Sequence, residues 1–217
     1  MNKFTTIIIV ISSIVIIVSC AYFKGLKEGL KNNDNIVLIG DSVLNNSNYV
    51  SAGKSVVEIL KTKTPNVFNF SKDGATIRDC YEQIDKIPLI LNKTNTTVFI
   101  SAGGNDILNN RTQLNSQKIG NIFNNYIELL KTVKARLDNA NINVLNLYLP
   151  INPRYQSYKP SIDQWNQLIK DSSSKIGETY NVINLDTLLT SPTDFVYDIE
   201  PSETGSEKIA SSIYLTL

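Results

Sequence analysis

A chain of 217 residues with 42% hydrophobic and 19% charged residues has room for one globular core plus a terminal extension. Its net charge is +1 and its lysines are scattered among acids, so no basic face for nucleic acid is declared. It has two cysteines and no histidine. That excludes a disulfide framework, a Cys/His zinc site and an imidazole base from this chain itself.

From Phe4 to Phe23 (FTTIIIVISSIVIIVSCAYF) no residue is charged, and Lys3 and Lys24 stand on either side. A helix of that length, at about 1.5 Å per residue, crosses a hydrocarbon core of roughly 30 Å. β-branched residues that weaken a helix in water are acceptable in lipid, where the backbone must bond to itself. Residues 1–23 are expected to be a single-pass membrane anchor; a cleaved secretory signal, or a lipoprotein signal at Cys20, are the alternatives. Residues 24–34 form a polar stem, and residues 35–217 the domain, expected on the extracytoplasmic or lumenal side. Lysines on both flanks leave the orientation open.

Beyond the stem, apolar runs alternate with helical patterns. Strands are expected at NIVLIG (35–40), NVFNF (66–70), TTVFISAG (96–103), INVLNLYLP (142–150) and NVINLD (181–186). Helices are expected within 53–63, 75–87, 116–140, 161–180 and 202–217. The longest carries Ile119, Ile122, Phe123, Ile127, Leu130 and Val133 along one stripe. Cys80 and Trp165 fall on apolar helix faces and read as core. Alternation of β and α with continuously apolar strands predicts a three-layer α/β/α sandwich around a five-stranded parallel sheet of flavodoxin-like type. In such sheets ligands gather beyond the carboxyl ends of the strands.

Residues suited to chemistry follow those ends. Gly40-Asp41-Ser42 comes after the first strand, Gly74 after the second, and Gly103-Gly104-Asn105-Asp106 after the third. Taken singly, each is an ordinary turn or cap composition. Together and in this order, over residues 35 to 215, they resemble the SGNH hydrolases, also called GDSL-type esterases. The resemblance implies that Ser42 is a nucleophile. It also implies that the Ser42 and Gly74 N–H groups and the Asn105 amide form an oxyanion hole. Fixed donors of this kind suit a tetrahedral oxyanion, and glycine permits close backbone approach.

The last segment, FVYDIEPSETGSEKIA (195–210), departs from the family's Asp-x-x-His. Aligned on Pro201, Glu200 stands where the histidine belongs and Tyr197 where the aspartate belongs, with Asp198 one residue out of register. General-base assistance is commonly worth ~10²–10⁴-fold, and an unperturbed glutamate, with a pKa of about 4.3, is a weak base. Burial or a neighbouring carboxylate would strengthen it. Two readings follow. One is a membrane-tethered hydrolase of acyl esters, on lipid or glycan, using Ser42 with Glu200 and Asp198. The other is a non-catalytic ligand-binding protein of the same fold. Hydrogen-bond reach between Ser42 and Glu200 favours the first; a gap filled by Tyr197 favours the second.

The loop LPINPRYQSYKP (149–160) is stiffened by prolines and carries Arg154, Tyr155 and Tyr158. The tyrosines, with Asp41, are candidates to contact substrate; packing of the loop onto the domain is the alternative for them. No cofactor or metal is expected, and Gly-Gly-Asn-Asp lacks the Lys-Ser/Thr of a phosphate-binding loop. The expected partners are an ester substrate and, through residues 4–23, a membrane.

Overall fold

The structure, a computed structural model, describes residues 34–172 and 180–217. The expected anchor and nearly all of the stem lie outside the described residues, as does the 173–179 part of the helix expected to end at 180. Among the described residues no helix is long and apolar enough to cross a membrane.

Five parallel strands form the central sheet: β1 (Asn35–Gly40), β2 (Val67–Asn69), β3 (Thr96–Ser101), β4 (Asn141–Leu145) and β5 (Asn181–Ile183), in the order β2-β1-β3-β4-β5. The connecting helices are α1 (Val56–Lys63), α2 (Ile77–Asp85), α3 (Gly104–Asn109), α4 (Ser116–Arg136), α5 (Lys159–Ser172), α6 (Leu185–Leu188) and α7 (Glu203–Leu215). A two-stranded antiparallel hairpin, β6 (Phe195–Val196) and β7 (Glu200–Pro201), precedes α7.

Alternate strand residues serve opposite layers, as the two-residue period of a strand requires. Val37, Ile39, Val98, Ile100 and Val144 pack with α2, α4 and α5, whereas Ile36, Leu38, Phe99, Leu145 and Ile183 pack with α1 and α7. With both faces covered, apolar residues fill the centres of β1 and β3, and this is why their runs stand out in the sequence.

Local chemistry starts and stops the helices. At α1, Ser55 and Glu58 form a reciprocal capping box, satisfying donors that the first turn leaves open. Asn115 caps α4 by accepting from the Lys118 N–H at 2.8 Å, and Lys134 and Arg136 sit in its last turn. The buried stripe of α4 is Ile119, Ile122, Phe123, Tyr126, Leu129, Leu130 and Val133. Ile127, expected within that stripe, is only partly buried, because the Tyr126 ring takes the inward place against Trp165 at 5.2 Å. Cys80 and Trp165 are buried as expected, and desolvation pushes the Cys80 thiol pKa up, leaving it an inert hydrophobe.

After β2 the chain crosses to the other side of β1 to form β3, so a crevice opens where the β1 and β3 loops diverge. Ser42 follows β1 and Asn105 follows β3. The sheet order therefore delivers both to one place.

Candidate active site

Two close approaches set the floor of the crevice. Gly40 has φ +136°, and a Cβ there would stand 1.9 Å from the Ser101 carbonyl oxygen of β3. The buried Gln83 of α2 fastens the same residue, accepting from the Gly40 N–H at 2.7 Å and donating to its carbonyl at 2.9 Å. Gly103, at φ +104°, lies under Trp165, whose ring atoms would be 2.3 Å from any Cβ added there. The core tryptophan thus supports the turn that starts α3 and places Asn105 in its first turn.

Ser42, Asp41, Asn105 and Glu200 all line one cleft, together with Tyr148, Tyr155, Tyr158 and an apolar set that includes Ile107, Leu147, Ile162 and Ile199. The cleft encloses a volume of about 70 Å³. Ser42 is buried at 8% exposure. The Glu200 carboxylate lines the same cleft, where the Ser42 side chain favours its charged form. The Glu200 pKa is nevertheless raised, first by burial, then offset by Ser42, with the charge of Asp73 adding to the rise. Its Oε2 is buried and closes no hydrogen bond of good geometry. The carboxylate therefore keeps an acceptor inside the cleft.

Asn105 donates through Nδ2 to the Ala75 carbonyl at 2.9 Å, fixing its amide beside the Gly74–Ala75 turn. Gly74 has φ +73°, a backbone region that favours glycine. It is not among the cleft-lining residues, but the Asn105 bond to its neighbour brings the two segments together. Among the described residues neither the Ser42 nor the Gly74 N–H is engaged in a hydrogen bond, so both are available as donors.

Asp41 is 3% exposed, and its Oδ1 accepts from the Ser101 hydroxyl at 2.8 Å and the Val43 N–H at 3.1 Å. Burial raises its pKa to about 7 against the lowering effect of those two bonds, with the Glu200 charge contributing to the rise. Asp106, by contrast, supports structure: its Oδ2 accepts from the Ile77 N–H at the start of α2, and burial raises its pKa.

The hairpin bearing Glu200 differs from the expected arrangement at its tip. Tyr197 (φ 48°) and Asp198 (φ 70°) are the described non-glycine residues with positive φ, and they turn the chain outward. Tyr197 is 70% exposed and meets Tyr49 edge-on at 6.0 Å. It fills no gap between Ser42 and Glu200. Asp198, expected beside the catalytic pair, does not line the cleft; it forms an exposed ion pair with Arg154 at 3.4 Å. The positive-φ turn rotates its side chain away from Glu200.

Other functional residues carry no signal in the sequence. Asn46, fully buried, donates to the Pro201 carbonyl and to Ser206, and accepts from the Val56 N–H at 3.1 Å. It ties the Ser42 loop to the residue after Glu200. Tyr148 donates to the Ile199 carbonyl at 2.7 Å and packs on Phe195 at 5.3 Å, bracing the hairpin from the β4 side. These contacts span up to 160 positions of chain, so no local spacing could have announced them.

The arrangement brings a hydroxyl, a half-buried carboxylate and the Asn105 amide into one cleft with an apolar wall. Comparison with known proteins points the same way. The model of the GDSL-like Lipase/Acylhydrolase family matches residues 38–208. Among solved structures, the chain is similar to a lipolytic protein of the G-D-S-L family from Veillonella parvula, at TM-score 0.65 and 18% identity over 82% of this chain and 94% of that one. It is similar to phospholipase A1 from Streptomyces albidoflavus, at TM-score 0.60 and 12% identity over 84% and 98%. A variant of an acetyl-xylooligosaccharide esterase from Geobacillus Stearmophilus also matches, at TM-score 0.62 and 15% identity over 83% and 92%. No curated protein sequence matches the chain.

Proposed function

The chain belongs to the GDSL-like lipase/acylhydrolase family, and from that premise we propose that it hydrolyses acyl esters through Ser42, with Glu200 in place of histidine as proton acceptor. The observation that carries the reading is that Ser42 and the half-buried Glu200 carboxylate line one cleft, close enough for the Ser42 side chain to favour the carboxylate's charged form. The Ser42 oxygen attacks the ester carbonyl carbon as its proton passes to Glu200. The carbonyl electrons move onto oxygen, and the Ser42 N–H, the Gly74 N–H and the Asn105 amide receive that charge. The carbonyl re-forms, the alcohol departs with the proton from Glu200, and an acyl-serine remains. Water then attacks the acyl carbon, giving a proton to Glu200; the bond from that carbon to the Ser42 oxygen breaks, the carboxylic acid departs, and Glu200 returns the proton to restore the hydroxyl.

A carboxylate can serve because its surroundings alter it. Burial raises the Glu200 pKa, so proton transfer from serine is less uphill than to an exposed glutamate. Asp198 is given no part in the chemistry, because its carboxylate pairs with Arg154. The uncharged stretch 4–23 supports a membrane tether for the domain, placing it where lipid or glycan esters are at hand.

The test is hydrolysis of 4-nitrophenyl butyrate by the full-length protein and by Ser42→Ala. Turnover above background is expected in the first and its loss in the second. Equal rates would remove the enzyme reading and leave the cleft as a ligand-binding site.

A further inference from the structure

A second groove, with a volume of about 660 Å³, lies beside the cleft, and Tyr158 belongs to the walls of both. Its walls are the loop before α4, the start of α4, the loop before α5 and the start of α5. They are clamped together: the Ser116 hydroxyl donates to Gln164 at 2.9 Å, and the Gln164 amide donates back to the Ser116 carbonyl at 2.9 Å. The groove is therefore preformed, which reduces the ordering a ligand must impose.

Its chemistry is one-sided. Two guanidinium groups, Arg111 and Arg154, line it with hydroxyl and amide side chains, and no carboxylate is among the lining residues. Arg154 is held in orientation, donating to the Tyr155 hydroxyl at 2.7 Å with its guanidinium 4.8 Å from that ring's centre. Its ion partner Asp198 stands outside the groove and is exposed, so an incoming anion can displace it at little cost. Forked guanidinium donors suit a tetrahedral oxyanion. The cleft beside it is lined largely by apolar and aromatic side chains from Ser42 as far as Tyr158.

We propose that this groove binds a phosphate group at the far end of the substrate arm that lies in the apolar cleft, so that the preferred ester is amphiphilic and anionic. The inference rests on the cleft being the substrate site, but binding can be read without turnover. Calorimetric titration of the full-length protein would use hexyl phosphate, 1-hexanol and inorganic phosphate as probes. Hexyl phosphate is expected to bind at least about fivefold more tightly than either of the others, with the advantage falling in 0.5 M salt. Arg111→Gln and Arg154→Gln should each remove about threefold to fivefold of that advantage, the range of a partly exposed charge contact. Asp198→Asn, which frees Arg154, should tighten hexyl phosphate about threefold.

Both arginines are exposed, so the variants should keep the unfolding temperature of the parent, and a binding change is then a change at the groove. Equal affinities for hexyl phosphate and hexanol would overturn the proposal, as would arginine variants that bind hexyl phosphate like the parent. Inorganic phosphate binding as tightly as hexyl phosphate would overturn the link between groove and cleft. An inactive protein that still shows the arginine-dependent preference would sink the hydrolase reading alone.

Discussion

Replacing Asp41 by Asn should make the protein more stable in a pH-dependent way. The buried carboxyl has a pKa of about 7, against 3.8 for an unperturbed aspartate. Between those values the folded state holds a proton that the unfolded chain has released, so stability falls as pH rises through the interval. At about 1.4 kcal/mol per pH unit, the full cost of ionising Asp41 in place comes to about 4 kcal/mol above pH 7. Asparagine keeps an oxygen able to accept from Ser101 and Val43, and it carries no charge to desolvate. Its amide hydrogens replace a carboxylate edge near Gly104, a change independent of pH. Urea denaturation of parent and variant in the same mild detergent at pH 4, 5.5, 7 and 8 measures the difference. The Asp41→Asn advantage should grow by about 2–4 kcal/mol from pH 4 to pH 8. Parallel stability curves would mean that Asp41 is hydrated or already paired, and the account of its burial would fail.

Three further outcomes are expected. Asn105→Ala should lower kcat on 4-nitrophenyl butyrate by about 10²–10³-fold with little change in KM, since an oxyanion donor acts mainly in the transition state; a pure KM effect would reassign Asn105 to ground-state binding. The pH–rate profile should rise as Glu200 loses its proton, at a pH above the ordinary glutamate range because burial raises its pKa, and Glu200→Gln should flatten that limb; an unchanged limb in the variant would place the base elsewhere. Glu200→His should raise turnover, while adding Tyr197→Asp should change it by less than about twofold, because residue 197 points outward at 70% exposure; a large added gain would show that the hairpin tip folds inward.

The sequence by itself determined the architecture and named the candidate site residues. Strands buried on both faces are largely apolar, so β1 and β3 stood out as runs, and α4 stood out by its repeating stripe. Ser42, Asn105 and Glu200 were legible because each follows, or is aligned by, a glycine or proline whose backbone angles the site requires. The tertiary structure decided what depends on direction. Whether Glu200 meets Ser42, whether Tyr197 intervenes and where Asp198 points are set by a turn with two positive φ angles, and residue type alone does not encode that turn there. Asn46, Gln83 and Tyr148 act across 43 to 160 positions of chain, so their roles exist only once the sheet has brought those positions together. Burial completes the division, since the same carboxyl group is an ordinary acid in the unfolded chain and a proton-holding one beside Ser42.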